Sequence, residues 1–318
     1  MNRFPQPFWV GVSTVALSLF FSWLSPHFLT GENFVTILDQ SSINIVVAVG
    51  MTLVIASAGI DLSVGATVAV CGIVMASLIK AGFGVLPTIA AALLTGALLG
   101  LLNALLVVKL EVNPFMATLA MMSVVGGGAL IVTQGIPIYG FSADFSWIGR
   151  GRIGGLPVSS LLCSAVVAAG GFLARCTRLG IYAAAMGGNE EALRRNGVST
   201  CLYKTVLYVL CGVCAALASV ILTSKLNSAE PLAGAMAEMN AIATAVLGGT
   251  RIRGGEPRIA GTFFAGILMG VVKNGLVLAG ISSYYQQFVT GVIILAAIVV
   301  SDRSEKSGSE KRKGSFGR

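Results

Sequence analysis

Few residues in this sequence are equipped for chemistry. Cys211 and Cys214 have the C-x-x-C spacing of a redox dithiol or of half a tetrahedral zinc site. Either use needs an accessible thiolate or two further ligands. The pair lies instead within YKTVLYVLCGVCAALASVIL, an apolar stretch in which cysteine packs as a small hydrophobe. The only histidine, His27, has no metal-site companion nearby and reads as a loop residue. Three charged residues do stand in apolar surroundings: Asp61 in SAGIDLSVG, Glu238 in AEMNAIATAVLGGT, and Lys273 ahead of Asn274. Charge at membrane depth is costly and usually functional. Scattered acids with one histidine do not make an acid–base or metal cluster, so no enzyme is expected and no catalytic, cofactor or metal residue is assigned. A phosphate-binding loop needs G-x-x-x-x-G-K-[ST], and no Gly-Lys pair occurs anywhere in the chain.

The elements that must hold these residues are apolar helices. Of the 318 residues, 55% are hydrophobic and 11% charged, with mean hydropathy +0.88. Soluble domains carry about 25% charged residues, so this chain lacks the polar side chains to cover a globule in water. Lipid is the solvent in which an apolar exterior is stable. A span takes about 20 apolar residues, and the runs between Gly, Pro and charge give ten candidate helices. They lie near 8–24, 43–58, 64–79, 85–108 and 114–134, then 156–174, 205–223, 232–249, 259–281 and 288–300. The first resembles a signal peptide in having Arg3 before an apolar run. No small-residue cleavage site follows, so it reads as a retained span.

The net charge of +8 then becomes an orientation signal rather than a nucleic-acid patch. Ten spans with both termini cytoplasmic put Lys80, Arg150, Arg152 and Lys225 outside and Lys273 within a span. The remaining sixteen of the 21 Lys and Arg residues lie inside, as the positive-inside rule requires. The expected fold class is an all-α membrane protein, a polytopic bundle of about ten transmembrane helices. Residues 1–302 form the transmembrane domain, and the polar, basic tail 303–318 is expected to be disordered. The 40 glycines, including Gly126-Gly127-Gly128 and the G-x-x-x-G pairs Gly96/Gly100 and Gly266/Gly270, suit closely packed helices.

Four stretches could carry function. In SAGIDLSVG, Gly59 and Gly65 flank Asp61. Either a broken helix exposes backbone groups to a cavity, or Asp61 caps the third helix in a tight turn. In NPFMATLAMMS, Asn113 and Pro114 start a helix, and Thr118 faces a pathway or bonds its own backbone. Residues 178–200 form a long charged interruption. Gly188 or Asn189 can cap a short helix there, with Glu190 and Glu191 in its first turn, Arg194 and Arg195 in its last, and Gly197 at its end. Such a helix, with Gly188, Ala192 and Gly197 as small contact residues, is a docking element; the alternative is a solvated loop. The fourth stretch, 237–262, carries Glu238 and Asn240 and then a basic turn bounded by glycine pairs. An unpaired Lys273 in lipid would cost about 2.5–3.5 kcal/mol. It is therefore expected in the bundle interior, at a subunit interface or snorkelling to an edge, with Glu238 as the nearest thing to a partner.

Six ordered segments, AGIDLSVG, NPFMATLAMMS, QGIPIYG, IYAAAMGGNEEALRRNGV, AIATAVLGGT and KNGLVLAGISSYYQQFVTGVIILAA, carry a resemblance to the ribose-type permeases of bacterial ABC sugar importers. It spans about Val47 to Asp302. The resemblance implies a multi-pass inner-membrane channel that moves a ribose-, xylose- or galactose-type solute into the cytoplasm. The implied partners are a second permease copy or paralogue, a periplasmic solute-binding protein, and an ATP-binding subunit that holds the ATP and magnesium; nucleic acid is not among them. It places Gly188, Asn189, Glu190, Glu191, Ala192 and Gly197 in the loop that meets the ATPase. Asp61, with Ser63, matches the family's acidic I-D-L-S-V-G motif, and Glu238 an E-L-D-A-I-A acid. Asn240 stands where that motif has Asp, Lys273 where a neutral Asn precedes Asn274, and Arg251-Ile252 where Ser-Leu follows Gly-Gly-Thr. Related permeases carry nucleosides, branched-chain amino acids or furanone signals. An ion-driven secondary transporter is the rival class, with Asp61, Glu238 and Lys273 as its only coupling candidates.

Overall fold

In the computed structural model, residues 6–295 are described, apart from 283, 287, 290 and 294. The helices are α1 (Gln6–Leu24), α2 (Gly31–Ala56), α3 (Val64–Lys80), α4 (Val85–Ala104), α5 (Pro114–Thr133), α6 (Ala143–Arg150), α7 (Val158–Cys176), α8 (Arg178–Arg195), α9 (Thr200–Leu226), α10 (Ala237–Leu247) and α11 (Ile259–Leu278). A π-helical turn, Leu105–Lys109, continues α4. Among the described residues six helices are long and apolar enough to cross a membrane: α2, α4 with its π-turn, α5, α7, α9 and α11. α1, α3 and α10 are shorter apolar helices. The helical membrane fold follows from them. The last expected span, 288–300, lies partly outside the described residues, and the tail 303–318 wholly so.

The core forms around α2 and α9. From Ile45 to Ala56 every residue of α2 is buried, so the helix is apolar all round where neighbours enclose it. α9 packs on α2, α3, α4 and α6. Small residues permit the closest of these contacts. A Cβ on Gly212 of α9 would overlap the Gly96 carbonyl of α4, and one on Gly100 would overlap the Tyr208 carbonyl. The C-x-x-C pair is part of this packing, with Cys211 and Cys214 against Gly50 of α2.

Two features differ from the sequence reading. The second helix starts at Gly31, well before residue 43, capped by the Thr30 hydroxyl, which accepts from Asn33 N at 3.2 Å. Asp39 breaks the apolar pattern but not the helix, because Lys225 Nζ pairs with it at 2.6 Å and the Ser159 hydroxyl also donates to it. Asn33 is absorbed in the same way: its amide and that of Asn274 on α11 exchange hydrogen bonds of 3.0 and 2.9 Å. The eighth expected span, 232–249, is replaced by α10, whose 11 residues reach only ~16 Å. Residues 231–236 form turns ahead of it. Gly234 there crosses Gly65 backbone to backbone, and a Cβ on either would overlap the carbonyl of the other. A helix presenting side chains could not approach α3 so closely.

The bundle has two distinct ends. At one, α6, the β2–β3 hairpin (Arg152–Ile153 with Leu156–Pro157) and the β1–β4 pair (Ile138–Tyr139 with Ser228–Ala229) form a cap that hydropathy does not announce. Arg150 Nε donates to the Lys225 carbonyl at 2.7 Å, and Lys80 Nζ to the Gly140 carbonyl at 3.1 Å. At the other end lie α8, the π-turn of α4, the start of α9 and the turn 250–258. Four cysteines are buried in the bundle. Cys176 and Cys201 are exposed, at the end of α7 and the start of α9, either side of α8.

Candidate functional site

α8 is two helices joined at a break. Asn189 has extended backbone (φ −162°, ψ 95°) inside the 18-residue element. Its Oδ1 accepts from Ala192 N at 2.9 Å, so it caps a short second helix over 190–195. Glu191 pairs with Arg194 at 2.7 Å and Arg195 at 3.0 Å. Hydrogen bonds from Arg195 and then Arg194 hold the Glu191 carboxyl below its ordinary range. Gly197 ends the segment at φ 80°, a left-handed conformation suited to glycine. Gly188, Asn189, Glu191, Ala192 and Gly197 are exposed, while Leu193 packs against the core. The result is a small-residue face turned away from the bundle.

α8 is anchored on both sides of its break, the short helix through Glu190 and the preceding part through Tyr182 and Gly187. Glu190 Oε2 receives Lys204 Nζ of α9 at 2.7 Å, and Tyr182 of α8 meets Tyr203 of α9 edge-on at 4.7 Å. On the other side, Gly187 has no room for a Cβ against the Ala56 carbonyl and the Gly254–Gly255 backbone, and Gly255 N donates to Ala56 O at 2.9 Å. Between α8, α9 and the 109–114 connection runs a groove of about 500 Å³ that includes Glu111, Asn113, Glu190, Arg194 and Lys204.

Asp61 lies behind this surface, 1% exposed. Its Oδ1 accepts from Ser63 N (2.9 Å), Ser63 Oγ (2.7 Å) and Asn103 Nδ2 (3.1 Å), and Asn103 Nδ2 also reaches Ser63 Oγ at 2.7 Å. The carboxylate thus secures the turn that opens α3 and ties it to α4. No cation pairs with it among the described residues. Tyr208 of α9 donates its hydroxyl to the preceding carbonyl, Ile60 O, at 3.2 Å.

The other sequence candidates are dispersed. Glu238 is buried in the first turn of α10, where the helix dipole favours an acid, beside Gly65. Asn240 is half-buried two residues further into the helix. Asn113 caps α5 by accepting from Phe115 N at 3.0 Å, and Thr118 donates to Pro114 O at 2.8 Å. Asn274 is held by Asn33. Lys273 is exposed on the face of α11 that also carries Val277 one turn on, and no ion pair joins it to Glu238. The helical turn places it off the bundle interior, which corrects the expected pairing. Asn103, Lys204 and Tyr208 do not stand out in the sequence. Their one visible signal is a polar atom near the end of an otherwise apolar run.

The family model described as "Branched-chain amino acid transport system / permease component" matches residues 33–298. The chain is 42% identical over 298 residues to the ribose import permease protein RbsC of Escherichia coli strain K12, covering 92% of this chain and 93% of that protein. It is 41% identical to the ribose import permease RbsC of Bacillus subtilis strain 168, covering 92% and 91%. With the D-allose transport system permease protein AlsC of Escherichia coli K12 the identity is 36%, covering 91% and 89%. No solved structure matches the chain.

Proposed function

We propose, from the premise that this chain belongs to the branched-chain amino acid transport system / permease component family, that it is the membrane channel subunit of an ABC importer for a ribose-like monosaccharide. The observation that carries the reading is 42% identity to a ribose import permease over nearly the whole of both chains. The amino-acid wording of the family description does not displace it, because the sugar relatives align end to end with this chain. A separate ATP-binding subunit supplies hydrolysis and a periplasmic solute-binding protein supplies the sugar. A second permease copy or a paralogue completes the channel, in the inner membrane. Asp61, Ser63, Asn113, Thr118, Glu238, Asn240, Lys273 and Asn274 remain the residues to test for translocation or gating. The test of substrate and energy source is uptake by cells expressing the chain with its two partners. Labelled ribose is expected to accumulate, and an ionophore that collapses ion gradients while sparing ATP is expected to leave uptake unchanged. Accumulation of leucine but not of pentoses or hexoses would overturn the sugar reading, and loss of uptake with ATP intact would overturn the ATP-driven one.

The α8 end faces the cytoplasm in this reading, and both termini lie on that side. The motive is the placement of sixteen of the 21 Lys and Arg residues there. A reporter active only outside the cell, fused after Val300, is expected to be silent, and activity there overturns the orientation. The segment Gly188–Gly197 is the contact for the ATP-binding subunit. Its cap and end charges build a rigid, small-surfaced helix at the exposed end of the bundle. Gly197→Leu is expected to leave membrane insertion normal and to uncouple hydrolysis from transport, either by removing the ATP-binding subunit on co-purification or by leaving its hydrolysis unresponsive to the loaded solute-binding protein. If Gly197→Leu and Ala192→Glu both keep that subunit and transport normally, the contact lies elsewhere, and the turn 251–258 is next to be tested.

A further inference from the structure

We infer that the Lys204–Glu190 ion pair is the strut through which movement of the short α8 helix reaches the Asp61 turn, with Lys204 and Tyr208 as positioning residues of the transport cycle. The inference rests on the reading of Gly188–Gly197 as the ATPase contact. A helix seated on a moving partner drives the channel only if something stiff connects it to the spans. Its own ion pairs, Glu191 with Arg194 and Arg195, close within the helix and transmit nothing. Glu190 instead crosses to α9, where Lys204 is largely buried, its side chain 13% exposed. A pair in that position is less screened than one at an open surface. The ring contact of Tyr182 with Tyr203 holds the first part of α8, before the break at Asn189, against the same end of α9.

From Lys204 the route continues along one turn of α9. Tyr208 is the residue four positions on and therefore lies on the same face. It is fully buried, and its hydroxyl holds the Ile60 carbonyl at 3.2 Å. The next residue is Asp61, whose carboxylate joins the start of α3 to Asn103 of α4. A rigid α9 turn thus links the cytoplasmic contact to the turn between α2 and α3, which side-chain hydrogen bonds tie to α4. The opposite anchor, Gly187 against Ala56 and Gly255, packs backbone on backbone and serves as the pivot.

The test uses the chain purified with its ATP-binding subunit, reconstituted in liposomes with its solute-binding protein, and reads ribose delivered per ATP hydrolysed. Lys204→Met is expected to keep the ATP-binding subunit and its hydrolysis but to lower that ratio at least about fivefold, the scale of a pairwise coupling of this kind. Glu190→Gln, which removes the same ion pair from within the contact segment, is expected to lower the ratio to a similar extent. The charge exchange Lys204→Glu with Glu190→Lys is expected to recover most of the ratio, which a merely structural role would not predict. Tyr208→Phe is expected to lower the ratio without releasing the ATP-binding subunit. An unchanged ratio in Lys204→Met and Glu190→Gln overturns the strut, as does failure of the exchange to recover it. Failure of the underlying contact reading looks different: Gly197→Leu and Ala192→Glu would then both keep the ATP-binding subunit bound and transport normally.

Discussion

Gly212→Leu is expected to abolish the folded permease. α4 and α9 share the most extensive helix contact in the bundle, and at Gly212 their backbones touch. Ordinary overpacking costs about 1–3 kcal/mol because flexible side chains move aside. Here the obstruction is the Gly96 carbonyl and the Gly100 amide, so two helices must separate. That separation also pulls Tyr208 and Asn103 from the Asp61 turn. The control is Gly127→Leu, at a glycine on α5 where an added Cβ would meet no atom within 4 Å. It should insert and melt like the parent, or somewhat higher, since glycine costs a helix about 1 kcal/mol relative to better helix formers. Thermal unfolding of the two variants in detergent, followed by size-exclusion chromatography, decides the matter. A Gly212→Leu protein that melts within a few degrees of the parent would mean that the α4–α9 crossing is not as close as described.

Asp61→Leu is the second substitution with a large expected effect. It strips the acceptor from Ser63 N, Ser63 Oγ and Asn103 Nδ2 together, in a site closed to water. A buried donor left unmatched costs about 1–3 kcal/mol. Three of them are therefore expected to cost several kcal/mol, within the range seen when a buried charged partner is removed. Asp61→Asn keeps an acceptor oxygen of the same reach and should retain most of the stability. The two variants also separate support from transport. If Asp61→Asn melts near the parent yet loses uptake, the negative charge itself serves the cycle; if uptake persists, the residue is a staple of the α3 turn. Equal melting of Asp61→Leu and the parent would sink the hydrogen-bonded account of this turn.

How much of this is legible in the sequence depends on the range of the interaction concerned. The short helix after Asn189 is readable residue by residue, because caps and end charges act over three or four positions. Asn189, Glu191, Arg194, Arg195 and Gly197 all stand where those local rules put them. Membrane character is equally plain, since it is a property of composition. Polar residues matched by distant partners are misleading. Asp39 interrupts an apolar run, but Lys225 and Ser159 satisfy it from far along the chain. The half-length of α10 is hidden for a related reason. Hydropathy measures what a segment is made of, and 232–249 is apolar; that Gly234 must slide past Gly65 is a tertiary fact. Lys273 is awkward in lipid, as its charge implies, but helix phase, fixed by the packing of α11 on α1 and α2, turns it away from Glu238.

The distribution of thiols leaves this protein with a ready-made pair of spectroscopic sites. Four cysteines are shut inside the bundle, and the two exposed ones bracket α8, Cys176 just before it and Cys201 just after the turn that ends it. A maleimide dye or nitroxide applied to the unaltered chain will therefore attach on either side of the segment proposed as the contact for the ATP-binding subunit. Fluorescence transfer or dipolar spectroscopy between the two labels can follow that segment through a nucleotide cycle, without first building a cysteine-free background.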